Sequence, residues 1–196
     1  DMDKTATDQL LDISRFLAMN VDGRNVSDAE LDSMKQSSGI SEVNLVNDKG
    51  IITQSTNPTY VGFDMTKGEQ SSEFMKLLYE KDGYVQEFRK ISFSDSVKMR
   101  YAGYPLRNKK GFIQIGIDEP LFDKLTLSQF EMSIAGHHIG SKGYYAILDK
   151  DWHLMFASRD SVDFIENLPH ESAMTLYKTK KGDEAYYMYT LCDQKF

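Results

Sequence analysis

The chain has 196 residues, a net charge of −7, 40% hydrophobic residues and 27% charged ones. That length holds one large domain or two small ones, and those fractions are globular rather than disordered. The acidic balance, with no basic run longer than Lys180-Lys181, speaks against a nucleic-acid partner.

From Asp3 to Asn20 the apolar residues Ala6, Leu10, Ile13 and Leu17 recur at helical spacing. Val21 to Asn25 breaks that helix. Ser27-Asp28-Ala29-Glu30 then reads as a capping box, opening a short helix that ends at Gly39. Two strands follow, joined by the turn Asn47-Asp48-Lys49-Gly50, where Gly50 supplies positive φ. Thr56 to Gly62 is a loop. Gln70 to Tyr79 reads as a helix with Phe74, Leu77 and Leu78 buried. Three strands are predicted next, at Tyr84–Ile91, Val97–Leu106 and Gly111–Ile117, the last two joined by a hairpin at Arg107–Gly111. Pro120 suits the first turn of a helix running from Leu121 to about Ala135, with Leu121, Leu125, Ser128 and Met132 on one stripe.

The strand–turn–strand of Glu42–Ser55 returns at Gly143–Ser158, where Asp149-Lys150-Asp151 stands for the first turn. Such an echo points to two copies of one fold in tandem. Helical stretches near Val162–Asn167 and Glu171–Tyr177 and a strand at Glu184–Leu191 complete the second copy. It is the smaller one, and we expect it to stop before a full module is built. The expected fold class is α+β: a long N-terminal helix followed by two antiparallel-sheet modules in tandem. The divisions are a helical stalk at 1–37, a first, distal module at 38–119, a linker helix at 120–136 and a second, proximal module at 137–196.

This order of elements resembles the double Cache family, the tandem PAS-like extracytoplasmic sensors of bacterial receptors. The likeness rests on Val46–Ser55, on Val61-Gly62-Phe63-Asp64, on Lys98–Leu106 and on Gly111–Asp118. It implies a ligand-sensing region held between two membrane helices outside this chain, on the extracellular or periplasmic side. It further implies a cytoplasmic output: a kinase, phosphatase, diguanylate cyclase or chemoreceptor. No run here is long enough to span a membrane and there is no signal peptide. Because the chain starts at Asp1, we expect it to be a piece of a longer protein.

The complete distal module is where a small-molecule ligand is expected. Candidate residues are Tyr101 and Tyr104 as aromatic walls, Gln114 and Arg100 as polar contacts, Phe74 as the helix wall and Asp118 as an anion. In amino-acid-binding members of the resembled family an Asp at the position of Asp118 holds the ligand's ammonium group. Those members pair it with an Arg-x-Trp-Tyr motif, whereas Ser72–Tyr79 here has neither Arg nor Trp. Asp118 also stands where a helix N-cap belongs, before Glu119-Pro120. Strand alternation puts Ile113, Ile115 and Ile117 on one face of their strand and Gln114, Gly116 and Asp118 on the other. Either face suits the pocket. Gly103 and Gly116 would let a ligand approach the sheet closely.

No metal or cofactor is expected: His137-His138 point different ways, with no carboxylate or Cys at ligand spacing. Cys192 is read as a small apolar strand residue. The sequence has no Gly-x-Ser-x-Gly, phosphate-binding loop, dinucleotide fingerprint or His-Glu-x-x-His, so the region is read as a sensor and not an enzyme. The N-terminal stripe offers a surface for a homodimer as well as for its own sheet. The rival readings are a structural or protein-interaction module without a ligand, and a cytosolic PAS-type domain.

Overall fold

Helix α1 covers Met2–Val21 and its apolar stripe is spent inside its own unit: Ala6, Leu10 and Leu17 are buried against the sheet, together with Ala18 and Val21. The stripe considered for a homodimer is therefore occupied by intrachain packing. The large apolar side chains that α1 exposes are Phe16 and Met19. The computed structural model describes residues 2–90, 97–108, 110–135, 146–148, 154–157, 190–191 and 194–195. The chain divides into two compact units, Asp1–Gln129 and Phe130–Phe196.

Helix α2 (Asp28–Ser38) has the reciprocal capping box predicted for it. The Glu30 N–H donates to Ser27 Oγ, and the Ser27 N–H donates to Glu30 Oε2 at 2.9 Å. Gly39 closes it in the left-handed region at φ 65, which costs glycine little because it has no Cβ. Strands β1 (Glu42–Asn47) and β2 (Ile52–Ser55) form the first hairpin, with Gly50 at φ 80 in the turn.

Strand β3 (Tyr84–Val85) and strand β4 (Arg89–Lys90) replace the single strand expected at Tyr84–Ile91. Their partner is β5 (Lys98–Pro105). From Val85 to Arg89 the chain advances four residues while β5 advances three, from Ala102 to Met99. The extra residue breaks the ladder, as a bulge does. Strand β6 (Gly111–Asp118) lies at the centre of an antiparallel sheet ordered β2-β1-β6-β5-β3, with β4 also on β5.

Both faces of this sheet are covered, so β6 is buried over seven consecutive residues, Gly111 to Ile117. On one face Ile113, Ile115, Ile117 and Val43 meet α1, α2 and helix α3 (Glu119–Ile134), which contributes Phe122. Of the stripe expected on α3, Leu121 and Leu125 pack on this core while Met132 is exposed. On the other face Phe112, Val46 and Ile52 meet a coiled segment whose longest element is a 3-10 helix, Ser71–Leu78. Its buried residues, Phe74 and Leu77, stand three apart, the spacing that stacks side chains on one side of a three-residue turn. A Cβ on Gly103 would lie 2.6 Å from Leu77 and 2.9 Å from Phe74. The glycine thus admits this helix, and not a ligand, to the sheet.

The Asp22 carboxylate ties the end of α1 to the β5–β6 hairpin by accepting from the N–H groups of Arg107 and Asn108. In the second unit β7 (Ala146–Leu148) pairs antiparallel with β8 (Leu154–Ala157), and β9 (Thr190–Leu191) with β10 (Gln194–Lys195). The helices expected at 162–167 and 171–177, most of the strand at 184–191, His137, His138 and Cys192 lie outside the described residues. Among the described residues no helix is long and apolar enough to cross a membrane.

Candidate ligand pocket

The sheet register lines up polar side chains on the face that carries Phe112. Glu42 of β1 is opposite Gly116 of β6, which is opposite Tyr101 of β5; one step along, Asn44 is opposite Gln114, which is opposite Gly103. The period of two puts Glu42 with Asn44 and Tyr101 with Gly103 on this face. Gln86 extends the first row, its N–H donating to the Tyr101 carbonyl at 2.8 Å. Because Gly116 has no side chain, the Tyr101 ring lies across it: a Cβ there would come within 2.7 Å of the ring. From that position the Tyr101 phenol acts on the Glu42 carboxyl, favouring its charged form while its own ionisation is opposed.

These residues border a cavity of about 100 Å³. One water needs about 10–15 Å³ of such space, so the cavity has room for an occupant larger than a bare ion. The covering segment supplies Tyr60, Phe63, Met65, Gly68, Gln70 and Ser71, and β2 supplies Ile52. Among the described residues that line it there is no Lys, Arg or His.

The polar groups at the sheet are wired in one direction. The Asn57 N–H donates to Ser55 Oγ, and the Ser55 hydroxyl donates to Asn44 Oδ1. That leaves the Asn44 amide to donate to Glu42 Oε1 at 2.5 Å and to Gln114 Oε1 at 3.1 Å. Asn44 is 1% exposed, Gln114 5% and Glu42 6%. Burial pushes the Glu42 carboxyl up to about 7, against the opposing pull of the Asn44 and Tyr101 donors. Burial and the Glu42 charge together hold the Tyr101 phenol far above its ordinary range, and raise Tyr60 in the same way.

A second cluster fixes one wall. Glu73, on the 3-10 helix, accepts from Arg89 at 2.6 Å, from the Tyr84 hydroxyl at 2.6 Å and from Gln86 Nε2 at 2.9 Å. The Arg89 guanidinium above all, then Tyr84, lowers its carboxyl to about 2. Gln86 also donates to the Gln70 carbonyl, so the covering segment is clamped to the sheet at β3 and β4.

Of the residues proposed from sequence, Tyr101 and Gln114 line this cavity. Phe74 lies beneath the same cover but is fully buried, stacked on Phe112 and edge-on to Tyr84, as core. Tyr104 and Arg100 project from the other face. Tyr104 packs on the core under α1. The Arg100 guanidinium packs against the rings of Phe88 and Phe122, 4.6 and 4.5 Å away, and donates to Thr7 Oγ1. Asp118 accepts from the Leu121 N–H at 2.9 Å and so caps α3. Glu42, Asn44, Tyr60 and Gln86 were not singled out. The available signal was Glu42-x-Asn44, two polar residues at a spacing of two in an apolar strand.

No protein-family profile matches the chain, and no curated protein does. Among solved structures it is similar to the sensory domain of the Campylobacter jejuni chemoreceptor Tlp3 with isoleucine bound, at 10% identity and a TM-score of 0.48, over 100% of this chain and 82% of that one. It is similar to an extracellular ligand binding receptor from Desulfohalobium retbaense, at 11% identity and a TM-score of 0.48, over 99% of this chain and 36% of that one. It is also similar to the E. coli DcuS sensor domain, at 10% identity and a TM-score of 0.44, over 63% of this chain and 96% of that one.

Proposed function

We propose that this chain is the ligand-sensing region of a membrane-bound signalling protein, standing on the extracellular or periplasmic side and binding a small molecule in its first unit. The observation that carries this reading is the cavity between the sheet and the 58–78 segment, with a buried carboxylate at its edge and no cationic side chain among the described residues that line it. A buried charge without a counter-charge costs stability, and such costs collect at sites that serve binding. The ordered set of motifs quoted above supports the same reading. In it, 38–119 is the membrane-distal sensing module, 120–136 the linker helix and 137–196 the proximal relay; the output is a kinase, phosphatase, diguanylate cyclase or chemoreceptor.

The geometry supplies a route for the signal. Gln114 lines the cavity, while its neighbours Ile113 and Ile115 pack in the core that includes Leu10 and Leu17 of α1. One strand therefore touches ligand on one face and transmitting helix on the other. A ligand that binds one position of this sheet better than another shifts the population toward it. The test is a thermal-shift screen of the full chain against amines, amino acids, organic acids and sugars. A rise in the melting temperature with one class is expected. No shift with any class would sink the sensing assignment in favour of a structural module.

A further inference from the structure

We propose that the pocket takes a small organic ammonium ion, paired with the Glu42 carboxylate, and refuses ligands that carry a carboxylate. This rests on the reading of the cavity as a ligand site and names what the site selects.

The argument is one of wiring. The Asn57 N–H, the Ser55 hydroxyl and the Asn44 amide form a relay whose final donor is aimed at Glu42 Oε1. The Tyr101 phenol also favours the charged carboxyl. The Asn44 amide that touches Glu42 Oε1 is a donor, so the contact suits the ionised form. What an ionised buried carboxylate further requires is a positive charge, and the described residues of the lining provide none. The cation must then come with the occupant. The same absence leaves nothing to neutralise a ligand carboxylate, which would enter beside Glu42 and be repelled.

The walls favour an organic cation over a metal ion. Ile52, Phe63 and Met65 are apolar, and Tyr60, Phe63 and Tyr101 supply aromatic rings that attract an alkylammonium through their faces. A hard metal ion needs six or more oxygens, and among the described residues no cluster of three His, Cys, Asp or Glu exists. The Gln114 amide uses its carbonyl in the network, so its N–H groups remain for a second polar group on the ligand.

Ammonium and proton then compete for Glu42. The titratable groups facing it are Tyr101 from β5 and Tyr60 from the covering turn, both raised and neutral. Asp118, farther along β6, is engaged as the α3 cap. Affinity for an ammonium should therefore rise with pH through about 7, where Glu42 is half ionised, and level off above about 8.

Calorimetry on the full chain at pH 8 with n-butylammonium, choline, n-butanol, butyrate and L-valine tests this. Expected is binding of n-butylammonium or choline at least tenfold tighter than butyrate or L-valine, with at least a tenfold loss in Glu42→Gln. For wild type at pH 6.5, titration in two buffers of different ionisation heat should show about three-quarters of a proton released per ammonium bound. This second measurement holds even if the variant does not fold. Butyrate, L-valine or n-butanol binding as tightly as the amines, or no proton released, overturns the ammonium assignment and leaves the ligand site standing. Silence of every probe, together with a flat thermal-shift screen, overturns both.

Discussion

Replacing Glu42 by Gln should stabilise the first unit, and more so as pH rises. Gln keeps the shape of the protonated acid and an oxygen to accept from Asn44 or Tyr101, but never ionises. The wild-type group titrates near 4.5 in an unfolded chain and near 7 in the fold. The folded state therefore binds more protons between these values, and stability falls as pH rises through that window. At about 1.36 kcal/mol per pH unit, the full shift amounts to about 3 kcal/mol, of which about 2.5 falls between pH 5 and 8. That is a large share of a typical domain's stability. The single tryptophan, Trp152, belongs to the second unit, so its fluorescence would report the wrong region. Amide hydrogen exchange at Ile113 and Ile115 in the central strand reads the opening free energy of the first unit directly. Taking the difference between variant and wild type removes the pH dependence of every other group. Equal values within about 0.5 kcal/mol at pH 5 and pH 8 would refute the reasoning and mean that Glu42 is solvated in the fold.

Three further outcomes follow from the same packing. Glu73→Gln should remove acid sensitivity, because the Arg89-paired carboxylate stabilises the fold above about pH 4.5 and loses that contribution as pH falls toward 2; with both partners about one-third exposed, the loss at neutral pH is about 1 kcal/mol, read as faster exchange at the Tyr101 amide. Gly103→Ala should cost about 1–3 kcal/mol by driving the 3-10 helix off the sheet, and would be visible as a lower melting temperature. Phe74→Ala, at a fully buried site between Phe112 and Tyr84, should cost about 3–5 kcal/mol in the same assay.

Local chemistry made much of the fold legible. Ser27 and Glu30 mark the start of α2 and Gly39 its end because capping needs only neighbours in sequence. Gly50 and the Arg107–Gly111 hairpin are likewise turn chemistry. The split of the third predicted strand escaped detection because a one-residue mismatch with β5 exists only in the pairing. In the site, alternation correctly put Gln114 opposite the isoleucines but left both faces eligible. Arg100 and Asp118 are plausible ligand contacts by residue type. One is buried against two rings and the other spent as a cap, by partners that sequence spacing does not reveal.

The sequence by itself determined the α+β order of elements, the helix ends, the turns and which residues share a strand face, since each depends on contacts a few residues apart. Only the tertiary structure decided which face holds the pocket. Glu42 and Asn44 lie in a strand whose alternation does not say what covers them, and residues 58–78 fold over that face. It is that cover, admitted by Gly103 and clamped by Glu73, that buries these two polar residues at the wall of a cavity.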